Sequence, residues 1–269
     1  MMTEDINRAA SVGIPQLLQV ARTAALEAGK AIMEVYLSGE FSAVKKADDS
    51  PLTLADQKAH VIIAEHLGKT GIPVLSEEME QQDYESRSSW PWYWLVDPLD
   101  GTKEFLKRNG EFTVNIALMH HSKPVGGVIF APVLNTLYYG TAESGAWKES
   151  GEEKVQLQEA SKRLSIEALL QKTGVRVIAS RSHLTPETKA YVEQLKAPAF
   201  VTMGSSLKFM LLAENKADIY PRFAPTMEWD TAAAHAILRV LNKGIYQTDL
   251  RSELAYNKKD LLNPSFISF

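Results

Sequence analysis

The chain of 269 residues contains no cysteine. Disulfides, thiolate metal sites and cysteine nucleophiles are therefore excluded, and the composition is compatible with a reducing cytosol. Nor is there a run approaching the ~18 apolar residues that cross a bilayer. Met1 to Asp5 carry no basic segment leading into an apolar one, so no signal peptide is read and a cytoplasmic location is expected. Peripheral association with the cytoplasmic face of the inner membrane stays open. Positive charge is not in excess: 29 Lys and Arg stand against 33 Asp and Glu, a net charge of -4. That argues against a nucleic-acid binder working by bulk electrostatics, while leaving room for a local basic pocket that takes a small anion. No G-x-S-x-G elbow and no Walker lysine motif occur, so a water nucleophile fits better than one from the protein. Internal repeats, heptads and low-complexity segments are also missing.

What the chain has is length for a large core, with 45% hydrophobic residues. Two subdomains sharing one body are expected, 1–160 and 161–269. Ile14 to Leu37 carries a helical stripe that includes Leu17, Leu18, Ala21, Ala25, Ala28 and Ile32, with Pro15 in the first turn. Gly29 in that stripe is a blemish or a place of close approach by another helix. A connector from Gly39 holds Lys45-Lys46, a solvated pair or a lure for an anion. Thr53 reads as the cap of the next helix, with Asp56 completing a capping box. Ile72 to Ser76 is a short apolar strand ending in Glu77-Glu78, which read equally well as a solvated acidic pair. Gln81 to Pro91 reads as a surface loop. Phe112 to His120, Pro124 to Ala131 and Thr136 to Gly140 form an antiparallel meander, with Gly126-Gly127 marking a bulge or close packing. Beyond Thr173, strands and helices alternate: Val175 to Ala179, a helix opened by Thr185-Pro186, Phe200 to Met203, a helix from Leu207, Asp218 to Tyr220, and an Ala-rich helix from Glu228 to Val240. Such alternation is that of an α/β half behind an α+β half.

The chain is organised around Trp94-Leu95-Val96-Asp97-Pro98-Leu99-Asp100-Gly101-Thr102. An uncharged strand runs to Asp97, Pro98 forces a turn, and Gly101 permits close approach of a ligand. Asp97 and Asp100 leave that strand three residues apart with no evident salt-bridge partner. A bare D-x-x-D is explained by an Asx turn. A strand running into D-P-L-D-G-T points instead to a hard divalent cation held by carboxylate, carbonyl and water oxygens. Asp56 and Asp230 each sit in a helix first turn, where an acid favours the dipole whatever its function. Gly204-Ser205-Ser206 opens a helix, an anion site or simply a cap. Lys208 and Arg222 would suit phosphate but are also ordinary surface charges. His183, following a strand, is more often structural or exposed than catalytic. Taken together, Glu77, Asp97, Asp100 and Asp230 all lie where strands end or helices begin, which suits a multi-metal site for phosphate ester hydrolysis.

The nine residues from Trp94 to Thr102, with Trp229-Asp230-Thr231-Ala232-Ala233 and the strand-ending Glu77-Glu78, resemble the signatures of the inositol monophosphatase family of Mg²⁺-dependent, lithium-sensitive phosphatases. The resemblance covers nearly the whole chain. Lys103-Glu104-Phe105, Arg108 to Asn115, Ser180 to His183, Gly204 to Phe209 and Tyr220 to Phe223 are most similar to its 3′(2′),5′-bisphosphate nucleotidase branch. The resemblance implies a layered αβαβα sandwich. It implies hydrolysis of adenosine 3′,5′-bisphosphate (PAP) to AMP and phosphate by a metal-activated water, in sulfur assimilation. Action on the sulfated nucleotide PAPS stays open. An inositol monophosphatase, or a phosphatase of another small phosphomonoester such as fructose 1,6-bisphosphate, is the alternative. A binding protein without turnover is a further one. By position, Glu77, Asp97, Asp100, Asp230 and the Leu99 carbonyl would hold two or three Mg²⁺ ions. Asp56 and Thr102 would orient the water, with Glu77 sharing in catalysis. Gly101 and Thr102 amides would hold the scissile phosphate, next to Glu77, Leu99, Asp100 and Asp230. His183, Ser205, Lys208 and Arg222 would face the nucleotide and its second phosphate.

Overall fold

The computed structural model describes residues 13–39, 44–45, 51–79, 82–159, 165–179 and 185–269. The expected first helix is α1 (Ile14–Ser38), ended by Gly39 in a left-handed conformation at φ 73°. Strands β1 (Val44–Lys45) and β2 (Pro51–Leu52) pair antiparallel. Helix α2 (Leu54–Gly68) begins at Thr53, whose side chain accepts from the Ala55 and Asp56 amides. Strand β3 (Val74–Ser76), helix α3 (Tyr84–Arg87), strand β4 (Trp92–Asp100) and helix α4 (Thr102–Leu106) follow. The meander comprises β5 (Thr113–His120), β6 (Lys123–Ala131), β7 (Thr136–Thr141), β8 (Gly145–Ser150) and β9 (Glu153–Gln156). The second half holds α5 (Ile166–Gln171), β10 (Arg176–Ile178), α6 (Pro186–Val192), β11 (Ala199–Val201), α7 (Leu207–Ala213), β12 (Tyr220–Arg222), α8 (Glu228–Val240), β13 (Ile245–Gln247) and β14 (Phe266–Ser268).

Among the described residues, β3 to β9 form one sheet in sequence order, with β3 parallel to β4 and every later pair antiparallel. Period-two alternation sorts its side chains into two cores. Trp94, Val96, Val114, Ile116 and Leu118 face a core shared with α1 and α2. Tyr93, Leu95, Ala117 and Met119 face a second core, shared with α7 and α8. Phe266 of β14 closes that second core from the opposite side. Its neighbour Ile267 points away, to a third core with Leu169 of α5 and Val192 of α6. The layers are therefore helix, sheet, helix, sheet, helix, as the resemblance implies.

Helix α8 is alanine-rich because it lies between two sheets. A Cβ on Gly127 of β6 would stand 2.1 Å from the Ala233 carbonyl oxygen, so the helix rests directly on the strand backbone. The register also shifts between Leu118 and Met119 opposite this stretch, so bulge and close packing are both present.

Several elements differ from expectation. The close approach at Gly29 is made by Phe130 of the sheet and not by a helix. The loop 81–91 contains α3, capped by Asp83. Within α3, Arg87 is only 2% exposed, because its guanidinium donates to Asn257 Oδ1 and to the Lys258 and Lys259 carbonyls. Strand β4 does not stop at Asp97. It continues to Asp100 through a register shift against β5, and the bulge absorbs Pro98, which has no amide to donate. The strand expected at Asp218 to Tyr220 lies later, at β12. It is the edge of the sheet β12-β14-β13, where Pro221 is tolerated. Asp218 instead accepts from the Arg176 guanidinium.

Candidate active site

Because β3 and β4 run parallel, both deliver their carboxylates at the same end of the sheet, with Ser76 opposite Val96 in register. The Glu77 amide donates to the Val96 carbonyl, which fixes the start of the acidic loop against β4. Helix α8 enters from the other side with Asp230 in its first turn. Asp97, Asp100 and Asp230 each offer a carboxylate oxygen, and the three atoms lie within 4.8 Å of one another. Glu77 is outside this triad, yet among neighbouring charges it acts most strongly on Asp97.

Apposed carboxylates in a desolvated cleft cannot all ionise at ordinary pH. Burial first, and then the negative charges of Glu77, Asp100 and Asp230, hold the Asp97 carboxyl well above its usual range. Burial, followed by Asp100, pushes Asp230 up to about 8. A divalent cation relieves both effects at once. The donor set is all hard oxygen, which fits Mg²⁺ or a similar cation and not a soft one.

Asp97 does make the local turn that an Asx motif predicts, its Oδ1 accepting from the Leu99 amide at 3.0 Å. Asp230 Oδ2 accepts from the Met227 amide at 2.8 Å and so caps α8. The local role and membership of the acidic triad coexist in both residues. Asp56 divides in the same way. Its Oδ2 accepts from the Thr53 amide at 2.8 Å, while its Oδ1 accepts from the Thr102 hydroxyl at 3.4 Å. That hydroxyl is also 3.4 Å from the Leu99 carbonyl oxygen.

Gly101 opens α4 at φ 94°, a conformation that disfavours any side chain. A Cβ there would also stand 3.2 Å from the Glu111 carbonyl and 3.3 Å from Ser205 Cβ. The β4 turn thus presses against the loop that leads into α7. Four donors converge on Asp100 Oδ2: the Ser205 hydroxyl at 2.5 Å, the Ser206 amide at 2.7 Å, the Ser206 hydroxyl at 2.8 Å and Asn115 Nδ2 at 3.3 Å. The anion held at the Gly204-Ser205-Ser206 turn is therefore Asp100 itself. In the sequence Asn115 stands out only as the end of the Arg108 to Asn115 motif. Its signal was a lone amide in the otherwise apolar strand Val114-Asn115-Ile116-Ala117-Leu118.

Beside the triad lies a cavity of about 300 Å³, lined by Lys103, Ser205, Lys208, Tyr220, Arg222 and Thr226 among others. Burial lowers the Lys208 ammonium below its usual value, partly countered by Asp100. Arg222 Nε is buried without a hydrogen-bond partner among the described residues. The structure thus brings Asp56, Asp97, Leu99, Asp100, Gly101, Thr102, Ser205, Lys208, Arg222 and Asp230 to one cleft. His183, Lys46 and the Lys45 side chain lie outside what the structure describes.

A carboxylate triad held between the end of β4 and the start of α8, in a sandwich of this layering, is a site suited to a divalent cation. The chain belongs to the inositol monophosphatase family, whose model matches residues 14–265. It is 45% identical over 256 residues to the 3′(2′),5′-bisphosphate nucleotidase CysQ of Escherichia coli O157:H7, covering 94% of this chain and 98% of that protein. The crystal structure of CysQ from Bacteroides thetaiotaomicron, a bacterial member of the same family, superposes with a TM-score of 0.78 at 46% identity, over 93% of this chain and 95% of that one. The extragenic suppressor protein suhB of Bartonella henselae shares the fold, with a TM-score of 0.70 at 23% identity and coverage of 93% and 92%.

Proposed function

We propose that this chain is a Mg²⁺-dependent 3′(2′),5′-bisphosphate nucleotidase that hydrolyses PAP to AMP and phosphate. The observation that carries the reading is the junction of the carboxylate triad with a cavity that also holds Lys208 and Arg222. A bisphosphate needs both parts: one to cleave a phosphate and one to hold the other. The 45% identity to a nucleotidase over nearly the whole chain supports the same choice.

Asp97, Asp100, Asp230, Glu77 and the Leu99 carbonyl are the groups that would hold the cations. When bound, Mg²⁺ supplies an acidified water and neutralises charge on the leaving oxygen. The protein's own part is orientation. The Thr102 hydroxyl has its proton within reach of Asp56 Oδ1 and of the Leu99 carbonyl, which leaves its lone pairs as acceptors for the attacking water. The Gly101 and Thr102 amides open α4 and would donate to the scissile phosphate. Lys208 and Arg222 would hold the second phosphate by charge-assisted hydrogen bonds, Arg222 through the unpaired Nε edge. Removal of PAP in sulfur assimilation is the role that this reaction serves.

The test is phosphate release from PAP, inositol 1-phosphate and fructose 1,6-bisphosphate, with and without Mg²⁺. Strong Mg²⁺-dependent preference for PAP is expected. Preference for inositol 1-phosphate would keep the metal reading and remove the nucleotide one, and no release from any would favour a binding protein. Asp100→Asn should lower turnover on the order of 10³-fold, as loss of several kcal/mol of charge stabilisation requires. Its circular dichroism should stay that of the native fold.

A further inference from the structure

We propose that Ser206 and Asn115 act together as a clamp that sets the Asp100 carboxylate for metal binding and fixes its distance from Asp230. The inference rests on the metal reading above and extends it to two residues to which that reading gives no role, Asn115 in β5 and Ser206, which also lines the cavity beside the triad.

The geometry is specific. All four donors at Asp100 reach Oδ2, and among the described residues none reaches Oδ1. A carboxylate oxygen has about two lone-pair sites, so Oδ2 is saturated and Oδ1 is the oxygen left for a cation. Ser206 Oγ also lies 2.9 Å from the carbonyl oxygen of Asp230. A single hydroxyl thereby lies within reach of two members of the triad, one on β4 and the other on α8, its one proton shared between Asp100 Oδ2 and the Asp230 carbonyl. Asn115 Nδ2 donates to that same Ser206 Oγ at 2.9 Å, and the Thr113 hydroxyl donates to Asn115 Oδ1 at 2.9 Å, which fixes the amide's orientation. Ser206 is 2% exposed and Asn115 1%, so water does not substitute for either. Buried polar groups aimed at a ligand's idle oxygen orient that ligand, and their removal typically weakens metal binding about 10–100-fold. A cap for α7 does not account for the arrangement, because the Ser206 side chain makes no capping hydrogen bond there. Ser206 and Asn115 are positioning residues in this scheme.

The experiment is calorimetric titration of Mg²⁺ into the purified full chain, without substrate, for wild type, Ser206→Ala, Asn115→Ala, Ser206→Thr and Asp100→Asn. Thermal unfolding in EDTA is recorded for each. Ser206→Ala is expected to bind Mg²⁺ about 10-fold or more weaker. Ser206→Thr, which keeps the hydroxyl, should recover most of that loss. A merely structural serine would lower the unfolding temperature in EDTA without moving the Mg²⁺ affinity. Wild-type affinity in folded Ser206→Ala overturns the clamp. If that variant fails to fold, Asn115→Ala is judged by the same criterion. The two readings fail separately. Wild-type affinity in Asp100→Asn removes the metal site itself. Weakened Asp100→Asn beside unchanged Ser206→Ala removes only the clamp.

Discussion

At Asp56 two explanations of one residue turn out to be compatible. From sequence alone the capping reading was complete, since an acid three residues after Thr53 closes a capping box. The structure keeps that box on Oδ2 and sends Oδ1 to Thr102. Nothing in the local pattern announces the second contact, because Thr102 is 46 residues away. Lys208 and Arg222 show the opposite case, in which residue type suggested phosphate but could not distinguish a cleft from a surface. Their shared cavity makes that distinction. A charge-assisted hydrogen bond contributes about 1.5–3 kcal/mol. Lys208→Ala or Arg222→Ala should therefore lower kcat/KM for PAP about 10–100-fold, with less than about threefold effect on a monophosphate. Steady-state kinetics on PAP and inositol 1-phosphate side by side check this. Equal losses on both would show that these cations serve the reacting phosphate.

Elements with a strong internal signal were legible: α1 by its apolar stripe, α8 by its alanines, α6 by its cap and proline, β5 to β7 by β-rich apolar runs. Those created by distant partners were not. Helix α3 owes its buried Arg87 to carbonyls some 170 residues away, and β13 and β14 complete a sheet whose third strand holds a proline. Strand β4 was placed correctly but cut short, because a bulge across a proline leaves no trace in local pattern. The contact of α8 with β6 supplies a test at this scale. Gly127→Ala would drive a methyl group into the Ala233 backbone, which cannot swing aside as a side chain would. Overpacking of this kind costs about 1–3 kcal/mol. The urea midpoint should fall accordingly. Activity should fall further than the unfolded fraction explains, because α8 carries Asp230. A fall in stability with unchanged kcat would show that the helix moves as a body without disturbing the triad.

For the molecule as a whole, the site is an electrostatic burden that the fold carries until a cation arrives. The layered fold and its order of elements were implied by the sequence, but the protonation of the cleft follows only from how closely α8 brings Asp230 to β4. Asp230 is raised to about 8 and Asp97 is raised as well, so above pH about 4 the folded protein retains protons that the unfolded chain has released. These two carboxyls make stability without metal fall as pH rises from about 4 to about 8, while His60, His120 and His235, held below their usual value by burial, work the other way through the histidine range. Asp218, which burial would raise but hydrogen bonds with Arg176 hold at about 2, has its contribution in place throughout that window and does not mask the slope. A bound divalent cation takes the place of the retained protons, so its stabilising effect must grow over the same range. The carboxyls pull the unfolding temperature in EDTA down between pH 5.5 and pH 8 against the histidines, and the difference between EDTA and saturating Mg²⁺ isolates the carboxyl part. The increment from saturating Mg²⁺ should be larger at pH 8 by at least about 2 °C, the shift that ~1 kcal/mol produces in a domain of this size. Asp230→Asn removes one of the contending charges, so it should flatten the EDTA profile and raise the unfolding temperature at pH 8. It should also abolish most of the Mg²⁺ increment. An increment in the wild type that is the same at both pH values would mean that the carboxylates do not share protons in the empty cleft.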